Sequence, residues 1–233
     1  MQLIDGKATA ATIRAELARE VEVLTGKAGR RPGLAVLLVG DDAASHTYVR
    51  NKERACQEVG MMSEVLRLPA ATSQDELLMH IDTLNGRNDV DGILLQLPLP
   101  KGLDSSLCLE RIAPDKDVDG FHPQNMGRLI LGLPGLRPCT PAGVMELLRR
   151  YDLSPKGKHA VVVGRSNIVG KPLSIMLGAK GPYADATVTV CHSGTPDLAA
   201  VCREAEFLFT ALGQPRFIPG SLADYMKAQY AFF

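Results

Sequence analysis

The segment Leu34-Ala35-Val36-Leu37-Leu38-Val39 decides the fold, because it is a short, wholly aliphatic run that ends at the turn Gly40-Asp41-Asp42. Runs of this kind, separated by segments with helical spacing, are typical of parallel strands covered on both faces. The pattern recurs at 92–97, 159–163, 186–191 and 207–212. The sequence therefore predicts an α/β fold built from a repeated succession of strands and helices.

The segments between these runs carry helix signals. Residues 7–24 place apolar side chains at helical intervals, and residues 47–59 end at Gly60, a residue type that commonly terminates helices. Residues 73–84 begin with Ser73, and Glu76 three positions later completes the pattern of a capping box. A further helix is predicted over 140–150, with Thr140 as its cap and Pro141 at its first position.

The composition argues against several classes of protein. The chain has 233 residues with 26 Lys and Arg against 26 Asp and Glu, so no net charge favours nucleic acid, a membrane surface or another polyanion. The five cysteines are widely spread and form no C-x-x-C pair, which favours reduced thiols over a disulfide framework or a zinc site. With no basic leader and no apolar stretch of membrane-spanning length, we expect a cytoplasmic protein.

Tyr48 and Lys52 are the first candidate site residues. They lie four positions apart in the helix predicted over 47–59, so their side chains share one helix face. This helix follows the carboxyl end of the first predicted strand, where open α/β sheets bind their ligands. The pair can therefore act on one substrate atom, although the same spacing also occurs on solvent-exposed helices.

A second candidate is Gln96, the single amide in the apolar run at 92–97. A buried amide needs hydrogen-bond partners, so Gln96 either binds the backbone or faces a ligand. Downstream, Asp115, Asp117 and Asp119 lie close to His122. We predict no metal site there, because the spacing does not match a calcium loop and a lysine lies among the carboxylates.

The segment Val163-Gly164-Arg165-Ser166-Asn167-Ile168-Val169-Gly170-Lys171-Pro172 reads as a strand end, a glycine turn and a helix start. Such a junction either binds a phosphate or is an ordinary strand-to-helix turn. The separation of its two glycines does not match the common G-x-G-x-x-G fingerprint of dinucleotide-binding proteins. The next strand ends at Cys191-His192-Ser193 without the carboxylate that usually holds an NAD ribose. Because Arg165 and Ser193 could hold a 2′-phosphate, we expect NADP as the cofactor.

Together these segments resemble the bifunctional methylenetetrahydrofolate dehydrogenase/methenyltetrahydrofolate cyclohydrolase family. The resemblance spans about residues 1–213. It rests on the following motifs: Tyr48-Val49-Arg50-Asn51-Lys52, Gln96-Leu97-Pro98-Leu99-Pro100, Pro114-Asp115-Lys116-Asp117-Val118-Asp119-Gly120, Gly164-Arg165-Ser166 with Val169-Gly170-Lys171-Pro172, and Cys191-His192-Ser193.

The resemblance implies two lobes and two reactions of one-carbon metabolism, which supplies purine biosynthesis. We expect a three-layer α/β folate domain over 1–120, a proline-rich connection over 121–140, and a Rossmann-like NADP-binding domain over 141–233. NADP would oxidise 5,10-methylenetetrahydrofolate, and water would open the methenyl product to 10-formyltetrahydrofolate. A cytoplasmic homodimer is also implied.

The resemblance assigns roles to individual residues. Lys52 would move protons during hydrolysis, Tyr48 would pack on the folate, Gln96 would tune Lys52, and Asp119 would bind the pterin. Leu95 and Leu97 would also contact the substrate. The cofactor-binding residues would be Gly164, Arg165, Ser166 and Ser193.

Past Gly213 we expect the family match to become poor, leaving the C-terminal part of the nucleotide domain missing or divergent. Residues 221–233 could form a short amphipathic helix. Two other functions therefore stay open. One is a catalytically impaired folate- or nucleotide-binding protein, and the other is a different two-lobe NADP-dependent dehydrogenase, such as a shikimate or amino-acid dehydrogenase.

Overall fold

The computed structural model describes residues 3–213, 217 and 230–232. The chain divides into two compact units, Met1–Gln124 and Asn125–Phe233. No helix within the described part of the chain is both long and apolar enough to cross a membrane.

Unit 1 contains a parallel three-stranded sheet in the order β2-β1-β3. Its strands are β1 (Gly33–Val39), β2 (Met62–Leu68) and β3 (Gly92–Leu95). Its helices are α1 (Gly6–Ala28), α2 (Ala43–Val59), α3 (Gln74–Gly86) and α4 (Ser105–Arg111).

The alternating side chains of β1 explain why this sheet is covered on both faces. Leu37 packs in a cluster with Ile81 of α3 and Cys108 of α4, whereas Val36 packs in another cluster with Val49 of α2. Burying a leucine or isoleucine completely contributes about 1.5–3 kcal/mol to folding. A wholly aliphatic strand is therefore favoured only where helices cover both sides, and the predicted three-layer arrangement is confirmed.

Unit 2 contains a parallel four-stranded sheet in the order β5-β4-β6-β7. Its strands are β4 (His159–Val163), β5 (Thr187–Cys191), β6 (Phe207–Thr210) and β7 (Tyr230–Phe232). The helices from the unit boundary onward are α5 (Pro123–Ile130), α6 (Cys139–Arg150), α7 (Gly170–Gly178) and α8 (Leu198–Arg203). Val161 and Leu208 pack with Cys202 of α8 in one buried cluster.

Several predicted helix ends are confirmed. The Ser73 hydroxyl accepts the Glu76 N–H at 3.2 Å, and Gly60 terminates α2 in a left-handed conformation with φ of 81°. Helix α2 begins earlier than predicted, because the Asp42 carboxylate accepts the Ser45 N–H at 2.9 Å and caps the helix.

Other expectations were wrong. Thr140 does not cap α6: the helix begins at Cys139, and its flanking residue Pro138 makes no side-chain cap bond. Pro123 is the first residue of α5, a position where the missing N–H costs nothing. Strand β2 was missed, and β3 and β6 end earlier than the aliphatic runs do. The helix expected over 221–233 lies outside the described residues except at 230–232, which form a strand.

Candidate active site

Helix α2 presents Tyr48 and Lys52 near the carboxyl end of β1. Val49 is fully buried and anchors the helix to the sheet, so the neighbouring Tyr48 points outward with 62 % of its surface exposed. Lys52 is half-buried. The helix therefore holds an aromatic ring in solvent beside a partly covered ammonium group.

Gln96 follows β3 directly and contacts Lys52. Its side-chain oxygen accepts a hydrogen bond from Lys52 Nζ at 3.2 Å, and its side-chain nitrogen donates to the Leu97 carbonyl at 2.7 Å. Its backbone N–H donates to the Leu37 carbonyl at 2.9 Å. Gln96 is thus fixed by the backbone, and its side-chain oxygen is bonded to Lys52.

This arrangement fixes Lys52 and leaves hydrogen-bond donors of its ammonium group for a ligand. An ammonium group has three donors, and Gln96 takes one of them. Leu95 is buried and Leu97 is half-buried, so of these two predicted substrate contacts only Leu97 has substantial surface in the structure. The site can hold a polar group of a ligand at Lys52 and pack a flat ring against Tyr48.

The acidic segment divides into structural and candidate binding residues. Asp117 is 1 % exposed, and its carboxylate accepts the His122 N–H at 2.8 Å. It therefore fixes the backbone. Asp119 is half-buried and Asp115 is exposed. Within the described residues, no group of three or more His, Cys, Asp or Glu side chains could hold a metal ion.

In unit 2, the turn after β4 requires its two glycines. Gly164 has φ of 129°, and a Cβ there would lie 2.4 Å from the Ala211 carbonyl oxygen. A Cβ on Gly170 would lie 2.1 Å from the Gly164 carbonyl oxygen. The start of α7 therefore packs directly on the end of β4, which only two residues without side chains permit.

Ser166 occupies backbone donors that a phosphate would otherwise use. Its hydroxyl accepts the N–H groups of Val169 at 3.1 Å and Gly170 at 3.3 Å. The same hydroxyl still has one proton to donate. An anion at this turn would therefore bind the Ser166 hydroxyl and nearby side chains rather than the first N–H groups of α7.

Arg165 and Ser193 follow two neighbouring strands at the same end of the sheet. Val163 of β4 pairs with Cys191 of β5, and each candidate residue lies two positions beyond its strand. Both are exposed, and Arg165 forms no ion pair with any residue that the structure describes. Burial raises the pKa of the Cys191 thiol, so Cys191 packs as an uncharged residue beside them.

Comparison with known proteins places both units in one family. Residues 4–119 match the family model described as the tetrahydrofolate dehydrogenase/cyclohydrolase catalytic domain. Residues 138–228 match the NAD(P)-binding domain of the same family. This second match continues to residue 228, past Gly213, where we expected the similarity to become poor.

Individual relatives agree with the family models. The bifunctional protein FolD of Nitratidesulfovibrio vulgaris (strain DSM 19637 / Miyazaki F) is 71 % identical over 222 residues, which cover 95 % of this chain and 77 % of the relative. The crystal structure of FolD from Campylobacter jejuni has a TM-score of 0.91 at 48 % identity, covering 95 % of this chain and 77 % of that one.

The FolD of Trypanosoma brucei, described as complexed with NADP cofactor and inhibitor, has a TM-score of 0.88 at 38 % identity and covers 97 % of this chain and 75 % of that one. The paired domain matches and these identities lead to one conclusion: the chain belongs to the tetrahydrofolate dehydrogenase/cyclohydrolase family of enzymes.

Proposed function

We propose that this chain catalyses two consecutive reactions of one-carbon folate metabolism. The first is the NADP-dependent oxidation of 5,10-methylenetetrahydrofolate, and the second is the hydrolysis of the methenyl product to 10-formyltetrahydrofolate. The hydrogen bond between Lys52 and Gln96, beside an exposed tyrosine, is the observation that carries this proposal. We assign folate chemistry to residues 1–120, the connection to 121–140 and nucleotide binding to 141–233.

The oxidation requires accurate placement more than it requires reactive side chains. NADP, when bound, accepts the hydride that leaves the carbon between the two folate nitrogens, and these nitrogens stabilise the resulting cation. The chain contributes by holding both molecules. Arg165 and Ser193 would bind the 2′-phosphate, Gly164 and Ser166 would shape the turn beside it, and Tyr48 would stack on the folate.

The hydrolysis requires proton transfer. Water attacks the methenyl carbon and loses one proton, which is released. The bond between that carbon and one nitrogen then breaks while the remaining hydroxyl proton passes to that nitrogen, and a neutral formyl group is left. Lys52 would carry these protons, because its ammonium group is fixed by Gln96 and half-buried next to the exposed tyrosine. Asp119 would accept hydrogen bonds from the amino and N–H donors of the pterin.

Absorbance of methenyltetrahydrofolate tests the two reactions separately. The purified protein should form the methenyl compound from the methylene substrate with NADP, and it should consume added methenyl compound faster than the spontaneous rate. Binding of folate and NADP without either change would identify the catalytically impaired binding protein instead. If neither the methylene nor the methenyl form of tetrahydrofolate binds, the proposed folate function is wrong.

The remaining parts of the proposal concern assembly and location. We propose a homodimer in the cytoplasm, as the resemblance implies. The five cysteines, which are all free thiols in the structure, support a reducing compartment. Sedimentation equilibrium should give twice the chain mass of 25.0 kDa, and a value equal to the chain mass would contradict the dimer.

A further inference from the structure

Lys116 holds the end of a neighbouring helix. Its ammonium group donates to the carbonyls of Leu84 at 3.2 Å, Asn85 at 2.9 Å and Arg87 at 2.6 Å. These carbonyls lie at the carboxyl end of α3, where a helix leaves acceptors without intrahelical partners and where a positive charge is favoured. All three donors of the ammonium group are used, so this lysine is not available to a ligand.

The backbone of the same segment is attached to the sheet. The Ile93 N–H donates to the Lys116 carbonyl at 2.7 Å, and Ile93 and Asp117 form a parallel β-bridge. Side-chain and backbone contacts thus fix one short segment to both α3 and β3. In this register, Asp119 lies two residues beyond the bridge, toward the end of β3 that leads into Gln96.

Packing restricts the residues just before Asp119 further. A Cβ on Gly92 would lie 2.3 Å from Val118 Cγ1, so the absence of a side chain at Gly92 lets Val118 lie directly on β3. The buried Asp117 carboxylate holds the chain that follows through its bond to the His122 N–H. The position of Asp119 is therefore determined on both sides by contacts that involve no substrate.

We infer that Lys116 is a positioning residue for Asp119: by fixing the segment to α3, it sets the place where the Asp119 carboxylate meets the pterin. This inference rests on the proposed folate function. It assigns a role to the one residue of the acidic segment whose charge is opposite to that of its neighbours.

The test measures binding of tetrahydrofolate and of NADP to the full chain by calorimetry. Lys116→Met should weaken tetrahydrofolate binding about tenfold, which corresponds to about 1.4 kcal/mol, and should leave NADP binding within about twofold. Lys27→Met is the control, because Lys27 lies in the last turn of α1, is exposed and makes no side-chain hydrogen bond or ion pair in the described part of the chain. It should change neither affinity.

A double-mutant cycle separates positioning from general stability. In the Asp119→Ala background, Lys116→Met should weaken tetrahydrofolate binding by less than about twofold. Lys116 acts on binding through the Asp119 carboxylate, and this background lacks that carboxylate. Equal tenfold losses in both backgrounds would overturn the inference. So would unchanged folate binding by Lys116→Met when the wild-type protein binds folate. If the wild-type protein binds none, the proposed function fails instead.

A second variant keeps the test decisive if Lys116→Met does not fold. Gly92→Ala leaves every bond of Lys116 in place but displaces Val118, and it should weaken tetrahydrofolate binding severalfold with little change for NADP. Its effect should also disappear in the Asp119→Ala background. A fully folded Gly92→Ala protein with unchanged folate affinity would contradict the idea that this segment positions Asp119.

Discussion

Lys52 and Gln96 are 44 residues apart in the chain, yet their side chains share a hydrogen bond of 3.2 Å. The amide has few alternative positions, because it is 9 % exposed and bonded to the Leu97 carbonyl. The position of the ammonium group is consequently set by two elements at once. A reaction that depends on this nitrogen should be very sensitive to its removal.

We therefore expect Lys52→Met to abolish hydrolysis of methenyltetrahydrofolate while the fold is retained. Loss of a group that transfers protons typically costs about 100-fold or more in rate, and methionine keeps most of the side-chain volume. The decay of methenyl absorbance measures the effect, with Lys27→Met as the control. An unchanged rate of hydrolysis would refute the role of Lys52.

Arg165 should determine the choice between the two nicotinamide dinucleotides. Arg165→Ala removes a charge-assisted bond to the 2′-phosphate, which is worth about 1.5–3 kcal/mol, so NADP should bind roughly 10- to 100-fold more weakly. NAD lacks this phosphate and should bind within about twofold of the wild type. Dissociation constants for both dinucleotides check this expectation.

The control for Arg165→Ala is Lys180→Ala, because Lys180 is an exposed cation beyond the far end of α7. Equal losses of NADP and NAD affinity in Arg165→Ala would show that the arginine does not read the 2′-phosphate. If NAD binds the wild-type protein as tightly as NADP does, the expected cofactor is wrong.

At this scale, the sequence predicts the shared face of Tyr48 and Lys52 because helical spacing is local. The pattern around Gln96 does not indicate its partner, since that contact depends on how two distant elements pack; the expectation that Gln96 tunes Lys52 came from the family resemblance. The role of Lys116 was missed for the same reason: its three carbonyl partners lie about 30 positions away, and no pattern near Lys116 indicates them.

Among the elements, the junction of β4 and α7 is the most constrained. Gly164→Ala would place a methyl group 2.4 Å from a backbone carbonyl at φ of 129°, so we expect a loss of about 2–4 kcal/mol in the free energy of unfolding. Chemical denaturation measures it. Gly143→Ala is the control: this residue lies within α6 with no atom near the added Cβ.

Gly143→Ala should stabilise the protein by about 0.5–1 kcal/mol, because alanine is the better helix former. A Gly164→Ala protein as stable as the wild type would show that the turn can relax, and the close approach of strand and helix would then not be required.

Helix α6 carries a pH-dependent contact near its carboxyl end. The guanidinium of Arg149 donates to the Glu146 carboxylate at 2.6 and 2.8 Å, and with Arg150 it lowers the pKa of Glu146 from an ordinary 4.5 to about 2. A carboxyl group whose pKa is lower in the folded state than in the unfolded state stabilises the folded state at pH values above its ordinary pKa. This contribution is lost as the pH falls toward the pKa of the folded state.

The wild type should accordingly be more stable than Glu146→Gln at pH 6, by up to about 1 kcal/mol, since both partners are partly exposed. This difference should shrink as the pH falls from about 4.5 to about 2. Urea denaturation across that range measures it. A difference that stays constant with pH would contradict the electrostatic explanation.

The elements differ in how well the sequence predicts them. The central strands β1 and β4 are almost wholly aliphatic and are predicted nearly to the residue. Strand β5 is also predicted nearly to the residue, although it is an edge strand in which only Cys191 is buried. Strand β2 escapes notice because it is an edge strand whose exposed Met62, Glu64 and Arg67 alternate with partly buried residues. The start of α6 was misjudged by two residues, because Thr140, a residue type that suits a helix cap, lies inside the helix.

The molecule as a whole has equal numbers of cationic and anionic side chains. Its 26 cationic and 26 anionic side chains give a sequence pI near 7.0, so copies of the chain repel each other least near neutral pH. Solubility should therefore be lowest near pH 7 and rise at pH 5.5 and pH 8.5. Turbidity of concentrated protein across this range checks it, and a turbidity minimum near pH 7 would contradict it.

The paired glycines at 164 and 170 limit how this chain can change its cofactor. Since neither position tolerates a side chain, natural variation or engineering cannot retune dinucleotide choice through the backbone that forms the turn. With the roles proposed for Arg165 and Ser193, a switch of preference should be sought in these two exposed side chains, which makes them the economical starting point for a library of redesigned enzymes.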